Sequence, residues 1–331
     1  MTTNDEGAGN GAPLADPLED LLDVLDLRAV GSTRISVDAF EGADGAADFA
    51  ELGASEADVF VGRSQPQPHG RAFGGQVLAQ SIIAAGRTVT AATEARGGPP
   101  RQIHSLHGYF LRPGDSSHPI RFAVERLRDG RSFSARRVHA IQHGKVILSM
   151  ITSFQEPADG IEHQDPMPAA PEPETLPTAA EALKGVDHPV ADFTATRRAA
   201  DIRHVEGPIY LRPGRQPAAR QSVWMKALRP MPDDPLLHAA VLAYCSDYTL
   251  LEPVLRRHGL AWGDPRLRPA SLDHAMWFHR PGRADEWILY TEDSPSASGG
   301  RGLGVGRMFA ADGTLIATVA QEGMVRLKER A

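Results

Sequence analysis

The stretch HSLHGYFLRPGD, residues 104–115, is the key to this chain, because part of it returns in SLDHAMWFHRP, residues 271–281. Phe110, Arg112 and Pro113 recur as Phe278, Arg280 and Pro281 at an offset of 168, and Gly144 recurs as Gly313 at an offset of 169. Self-similarity at a fixed spacing marks a repeated supersecondary unit. Working outward from each occurrence gives the same order of elements. In the first half, 59–64 reads as a strand. Residues 73–90 read as a helix with Val77, Ile82, Ile83 and Val89 on its apolar face. Strands then follow at 104–112, 120–127, 133–141 and 145–155, parted by turn signals at Pro113-Gly114, Asp129-Gly130 and His143-Gly144. In the second half the same order reappears: a strand at 221–228, a helix at 236–255, and strands at 271–279, 287–293, 302–310 and 314–327. Asp233 or Asp234 can cap that second helix, with Pro235 at its first position. Each unit is expected to be a sheet wrapped around one long helix. The later strands do not alternate with helices, which disfavours a parallel βαβ architecture.

The flanks are plainer. Residues 1–28 form a lead ending in a short amphipathic helix at Leu18–Leu27, and 29–157 form the first repeat, opening with a strand at 32–40 and a Gly/Ala/Asp-rich insertion to about 57. Seven prolines between Pro157 and Pro189 mark 158–205 as an extended linker or poorly ordered crossover, and 206–331 form the second repeat. The 331 residues are 41% hydrophobic and 23% charged, a composition for a folded, soluble chain. No run approaches the length of a membrane span, the polar, glycine-rich start reads as no secretory signal, and the last four residues are not a peroxisomal address. Cys245 is the only cysteine, so no internal disulfide is possible, and a cytoplasmic location is expected. A net charge of −7 without a basic block argues against a nucleic-acid partner. Only four lysines stand beside 31 arginines. A GC-rich coding genome accounts for that skew, although arginine's planar fork also suits phosphate.

Several standard chemistries are missing. There is no G-x-S-x-G elbow, no phosphate-cradling G-x-x-x-x-G-K-[ST] loop, no dinucleotide fingerprint and no paired cysteine or H-E-x-x-H zinc site. His104 and His107 read as structural, and Cys245 as a small core residue. The acid that stands out is Asp247. Helical spacing places it on one face with Leu236, Ala240, Ala243 and Leu250 or Leu251, a stripe that should meet the sheet. A charge there is costly unless it is partnered or useful. Either Asp247 caps a helical restart at SDYT, or it is a general base with a raised pKa. Gln321 shares a strand face with Leu315, Ala317 and Val319, and Ser271 opens a strand; spacing alone selects neither. The repeat places Ala79, Ile103 and Thr152 opposite Asp247, Ser271 and Gln321. Gln76 and Gln80 are the nearest polar residues in the first helix, so any site formed by the trio belongs to the second half.

FGGQVLAQ (73–80), HSLHGYFLRPGD (104–115), LRDGRSFSARRV (127–138), SLDHAMWFHRP (271–281) and TVAQEG (318–323) together resemble the acyl-CoA thioesterase II family, over most of the chain from about residue 59 to 327 with the linker left out. The resemblance implies an α+β double hotdog, two helix-in-sheet repeats packed as a pseudo-dimer. It also implies hydrolysis of fatty acyl-CoA to fatty acid and CoA, without metal or other cofactor. The family's catalytic aspartate falls on Asp247, its hydroxyl residue (commonly threonine) on Ser271 and its glutamine on Gln321. These residue types suit a water-directed attack, with Asp247 taking the proton and the other two holding the water. A backbone N–H at Gly74 or Gly75 is a candidate oxyanion donor, and Arg112, Arg280 and Arg301 are candidate contacts for CoA phosphates. Self-association through sheet edges is expected. Two other readings stand beside this one. A hotdog hydratase or dehydratase would need a histidine that the sequence does not place beside Asp247. A non-catalytic acyl-CoA sensor would bind without hydrolysis.

Overall fold

The computed structural model describes residues 16–35 and 55–328. Helix α1 (Pro17–Leu25) and strand β1 (Arg28–Ile35) come first. The first repeat consists of β2 (Ser55–Gly62), α2 (Gly74–Glu94), β3 (Gln102–Phe110), β4 (Ile120–Asp129), β5 (Phe133–Gln142) and β6 (Lys145–Gln155). After short helices α3 (Ala179–Ala182) and α4 (Pro189–Thr196) come β7 (Ala200–His204), β8 (Arg220–Ala227), α5 (Pro235–Ser246), α6 (Glu252–Arg257), β9 (Leu267–Ser271), β10 (Asp273–Phe278), β11 (Ile288–Ser298), β12 (Arg301–Ala310) and β13 (Leu315–Leu327). Much of the strand expected at 32–40 and of the insertion after it lies outside the described residues.

All thirteen strands join one antiparallel sheet, ordered β1-β2-β4-β5-β6-β3-β10-β13-β12-β11-β8-β7, with β9 beside β13. The order reads the same from both ends. β2-β4-β5-β6-β3 in one half answers β8-β11-β12-β13-β10 in the other, and the halves meet at β3–β10, where Leu106 pairs with Met276 and His107 with Ala275. The repeat in the sequence is thus a double hotdog in space. The concave side is filled by α2 and α5, which run against each other. A Cβ on Gly75 would lie 2.4 Å from the Tyr244 carbonyl, and one on Gly86 would lie 2.4 Å from the Leu236 side chain, so both crossing points require glycine. Leu78 and Ile82 of α2 and Ala240 and Ala243 of α5 are completely buried there. Each large aliphatic side chain taken out of water adds about 1.5–3 kcal/mol.

Two expectations are corrected, and the alternatives for the proline-rich segment are narrowed. The helix read over 236–255 is two helices, α5 and α6, broken at 247–251. Pro253 has no N–H for the Thr249 carbonyl, and that carbonyl instead accepts from Glu252 N at 2.7 Å. The strand read over 271–279 is split at Leu272, where β9 ends and β10 begins, so Ser271 closes a strand instead of opening one. The proline-rich segment is ordered along the outer face of the second half of the sheet. Gln164 brackets the β12–β13 turn through the Gly313 carbonyl and Leu315 N, and Trp224 donates to the Pro171 carbonyl at 2.8 Å. Met167, Ala170 and Leu176 cover Trp224, Leu289, Phe309 and Leu315 on that face. β7 also falls within the span read as crossover, and it extends the second half of the sheet as its edge strand.

Candidate active site

The break between α5 and α6 makes the site. α5 ends at Ser246, and Asp247, at its C-terminal cap (φ −87°, ψ −2°), turns its carboxylate toward the start of α2. That start has no side-chain cap of its own, since Phe73 occupies the capping position. Asp247 supplies one from across the fold: Gly75 N donates to Oδ2 at 2.8 Å. An anion at the positive end of a 21-residue helix is favourably placed. A Cβ on Gly74 would lie 2.6 Å from the same oxygen, which is why glycine is needed there too.

From the sheet, Gln321 of β13 and Ser271 of β9 complete the arrangement. Gln321 Nε2 donates to Asp247 Oδ1 at 2.7 Å and to Ser271 Oγ at 2.7 Å, and Ser271 Oγ lies 3.4 Å from Asp247 Oδ1. The structure therefore brings together three residues that are 24 to 74 positions apart in sequence. Burial pushes the Asp247 carboxyl up to about 6, although the bonds from Gln321, Gly75 and Ser271 each pull it down. A carboxyl so tuned is ionised at neutral pH yet basic enough to accept a proton. Asp247 does not cap the helical restart: the cap of α6 is Leu251, and Asp247 closes α5 while its carboxylate lies in the polar cluster.

The first half carries no such group. Gln76 and Gln80 are absorbed in a structural ladder: Gln65 N donates to Gln76 Oε1, Gln76 to Gln80, and Gln80 to the carbonyls of Val24 and Arg63. Thr152, opposite Gln321 in the repeat, is fully buried. His104 bonds Ser153 at 2.8 Å and His107 packs edge-on against Trp277. Burial pushes the Cys245 thiol up to about 12, away from any nucleophilic role.

The other candidates fall elsewhere. The Gly75 N–H is committed to Asp247, which leaves Gly74 as the candidate oxyanion donor of the two. Arg112 donates to the Val146 carbonyl and Arg280 to the Leu315 carbonyl, the same contact in each repeat, so the recurrence of these arginines has a structural cause. Arg301 pairs with Glu322 at 2.9 Å. Among the described residues one group, Asp115, His118 and His143, has the composition of a metal site, and none of the trio belongs to it.

Sequence reasoning missed His274. This fully buried imidazole adjoins the Gln321 amide, and its Nε2 lies 2.9 Å from Ser246 Oγ. Burial holds it down to about 4, so it is neutral near pH 7. Gln321 Oε1 and His274 Nδ1 are both buried without a hydrogen-bond partner. A proton on Nδ1 would satisfy the pair and lock the amide with its NH₂ toward Asp247 and Ser271. The repeat offset contained the signal, because position 274 answers Leu106, an apolar residue on the matching strand.

The double hotdog places the chain in a class with known thioesterases, as comparison with known proteins shows. The sequence pattern of the acyl-CoA thioesterase family matches residues 196–324, and that of the acyl-CoA thioesterase N-terminal domain matches residues 63–155. Acyl-CoA thioesterase 2 of Haemophilus influenzae is 38% identical over 277 residues, covering 82% of this chain and 93% of that protein. Human acyl-coenzyme A thioesterase 8 is 39% identical over 285 residues, covering 82% and 85%. Among solved structures, acyl-CoA thioesterase II TesB2 of Mycobacterium marinum is 40% identical with a TM-score of 0.67, covering 94% of this chain and 99% of that one. The chain belongs to the acyl-CoA thioesterase family.

Proposed function

We propose that this chain, an acyl-CoA thioester hydrolase by family, cleaves its substrate by direct attack of a water molecule that Asp247 deprotonates. The observation that carries the reading is the convergence of Gln321 Nε2 on both Asp247 Oδ1 and Ser271 Oγ at 2.7 Å each. Ser271 Oγ and the Asp247 carboxylate offer polar atoms to one water, and Gln321 fixes their spacing. The water oxygen adds to the thioester carbonyl while its proton passes to Asp247. The C–S bond then breaks, the thiolate of CoA receives a proton, and the fatty acid leaves. The thioester carbon is electrophilic enough for this without a covalent enzyme intermediate. The developing oxyanion is assigned to the Gly74 N–H at the positive end of α2.

The exposed Tyr109, Ile151 and Trp277 near the β3–β10 junction support association with a second copy. A place in fatty-acid metabolism follows from the products. No described helix is long and apolar enough to cross a membrane, and the lone cysteine is buried; we assign the enzyme to the cytoplasm.

The test is Asp247→Asn, with thiol release followed from hexanoyl- and palmitoyl-CoA. Loss of a general base should lower kcat by about 10²–10⁴-fold. Turnover equal to that of the parent enzyme would remove Asp247 from the mechanism.

A further inference from the structure

Separated from the trio by the Tyr248 ring lies a cation that the mechanism does not use. Arg198, between α4 and β7, places its guanidinium carbon 5.0 Å from the ring centre of Tyr210 and 4.8 Å from that of Tyr248. Its guanidinium makes one hydrogen bond among the described residues, from Nη1 to the Tyr210 hydroxyl at 3.1 Å. It belongs to none of the ion pairs there. The nearby acid, Glu252, is engaged by His204 at 3.1 Å and by Trp262 at 2.9 Å. A half-buried arginine held between two tyrosines, with Glu252 near enough for its charge to act on it but without a salt bridge among the described residues, is unusual, since a cation removed from water is normally paired directly. The rings compensate part of that cost, yet the remaining N–H groups have no acceptor among the described residues.

Its position gives the unpaired charge a meaning. Tyr248 directly follows Asp247. The Tyr248 ring stacks on Phe73 at 4.8 Å, and its hydroxyl donates to Tyr244. Phe73 in turn immediately precedes Gly74 and Gly75, the start of α2. The aromatic cluster thus links the arginine to both backbone segments that build the site. A planar guanidinium with free N–H groups matches an oxyanion in geometry and charge.

We propose that Arg198 is a substrate-binding residue whose guanidinium receives an oxyanion of the thioester, supplied either by a phosphate of the CoA moiety or by a carboxylate at the far end of the acyl chain. The proposal rests on the reading of Asp247 as the reacting centre. The stacked tyrosines hold the guanidinium flat and rigid before substrate arrives, which limits the ordering cost of binding.

Arg198→Met keeps the length of the side chain and its packing between the rings while removing the charge. KM and kcat are measured for the parent and this variant with four probes: hexanoyl-CoA, adipoyl-CoA and the N-acetylcysteamine thioesters of the same two acids, which lack phosphate. A rise in KM of about 10- to 100-fold confined to both CoA esters supports the proposal and identifies phosphate as the ligand. The same rise confined to both adipoyl esters supports it and identifies the acyl carboxylate. Equal changes on all four probes, or none on any, overturn it, because a purely structural cation would not distinguish charged from uncharged substrates. Should the methionine variant fold poorly, Arg198→Lys keeps the charge and loses the planar fork. It should show the same selectivity with a smaller rise, and equal effects on all four probes again overturn the proposal. Asp247→Asn is run in parallel. An active Asp247→Asn overturns the base assignment, whereas an inactive Asp247→Asn beside an unselective Arg198→Met overturns only the arginine's role.

Discussion

At the scale of single residues, the behaviour of the site is set by Asp247. Its carboxyl is raised to about 6 by burial, and it must be ionised to accept a proton. kcat/KM should therefore climb with pH through about 6 and level off above it. His274, held near 4, adds no second limb in that range. A pH series of thiol release checks this, and a flat profile between pH 5 and 8 would contradict it. The trio was legible in the sequence only with help. The residue types and the offset of the repeat marked Asp247 as odd, but Gln321 and Ser271 look like ordinary strand residues until β13 and β9 are laid side by side. Arg198 gave no local signal, because its bracket comes from Tyr210 and Tyr248, which reach it from separate parts of the chain.

At the scale of elements, the telling feature is the interruption between α5 and α6. Helical periodicity carried straight through it, since Leu250 and Leu251 continue the apolar stripe. Pro253 was the visible cue that a continuous helix could not hold. The turn is pinned from below: Thr249 Oγ1 donates to Glu292 Oε1 at 2.6 Å, and Gln221 Nε2 donates to Oε2 at 2.5 Å. Burial pushes the Glu292 carboxyl up to about 8, against those two bonds. Folding then favours the protonated acid. The stability it contributes is complete below the ordinary glutamate range and is lost as pH rises through about 8. Glutamine is neutral throughout, so the Tm of Glu292→Gln should gain on the parent between pH 6 and 9; a constant difference in scanning calorimetry would sink the assignment. On the opposing element, Gly75→Ala would press a methyl group into the Tyr244 carbonyl, 2.4 Å away. Overpacking of this kind costs about 1–3 kcal/mol. Because Gly75 N–H also holds Asp247, kcat should fall along with the urea midpoint, a joint loss that equilibrium unfolding and kinetics can measure.

For the molecule as a whole, duplication was the most readable property of the sequence. Eight residues, Phe110, Arg112, Pro113 and Gly144 with their partners Phe278, Arg280, Pro281 and Gly313, were enough to suggest a mirrored sheet. What they could not give was the junction. Nothing in a strand's own residues says that β3 will pair with β10, since that choice follows from burying α2 against α5. The course of the proline-rich segment was equally hidden, because its anchors, Gln164 and Pro171, meet partners at Gly313 and Trp224 far along the chain. Separated halves, cut within residues 158–163, would each expose a strand edge at the junction and a bare helix face. Each half alone should be insoluble or lack cooperative unfolding, while co-expression should restore activity. A soluble, cooperatively folding single half would show that the junction matters less than its burial suggests.

The sheet order has a quantitative consequence for turnover. Two identical polypeptides arranged about a twofold axis would present two equivalent reaction centres, whereas here Thr152 stands where Gln321 stands on the other side. Each polypeptide should therefore saturate with a single equivalent of a tight-binding substrate analogue. On the proposed mechanism the first half carries no second trio to preserve, so apart from Gly74 and Gly75, which meet Asp247, its sequence is free to vary without the loss of a reacting group.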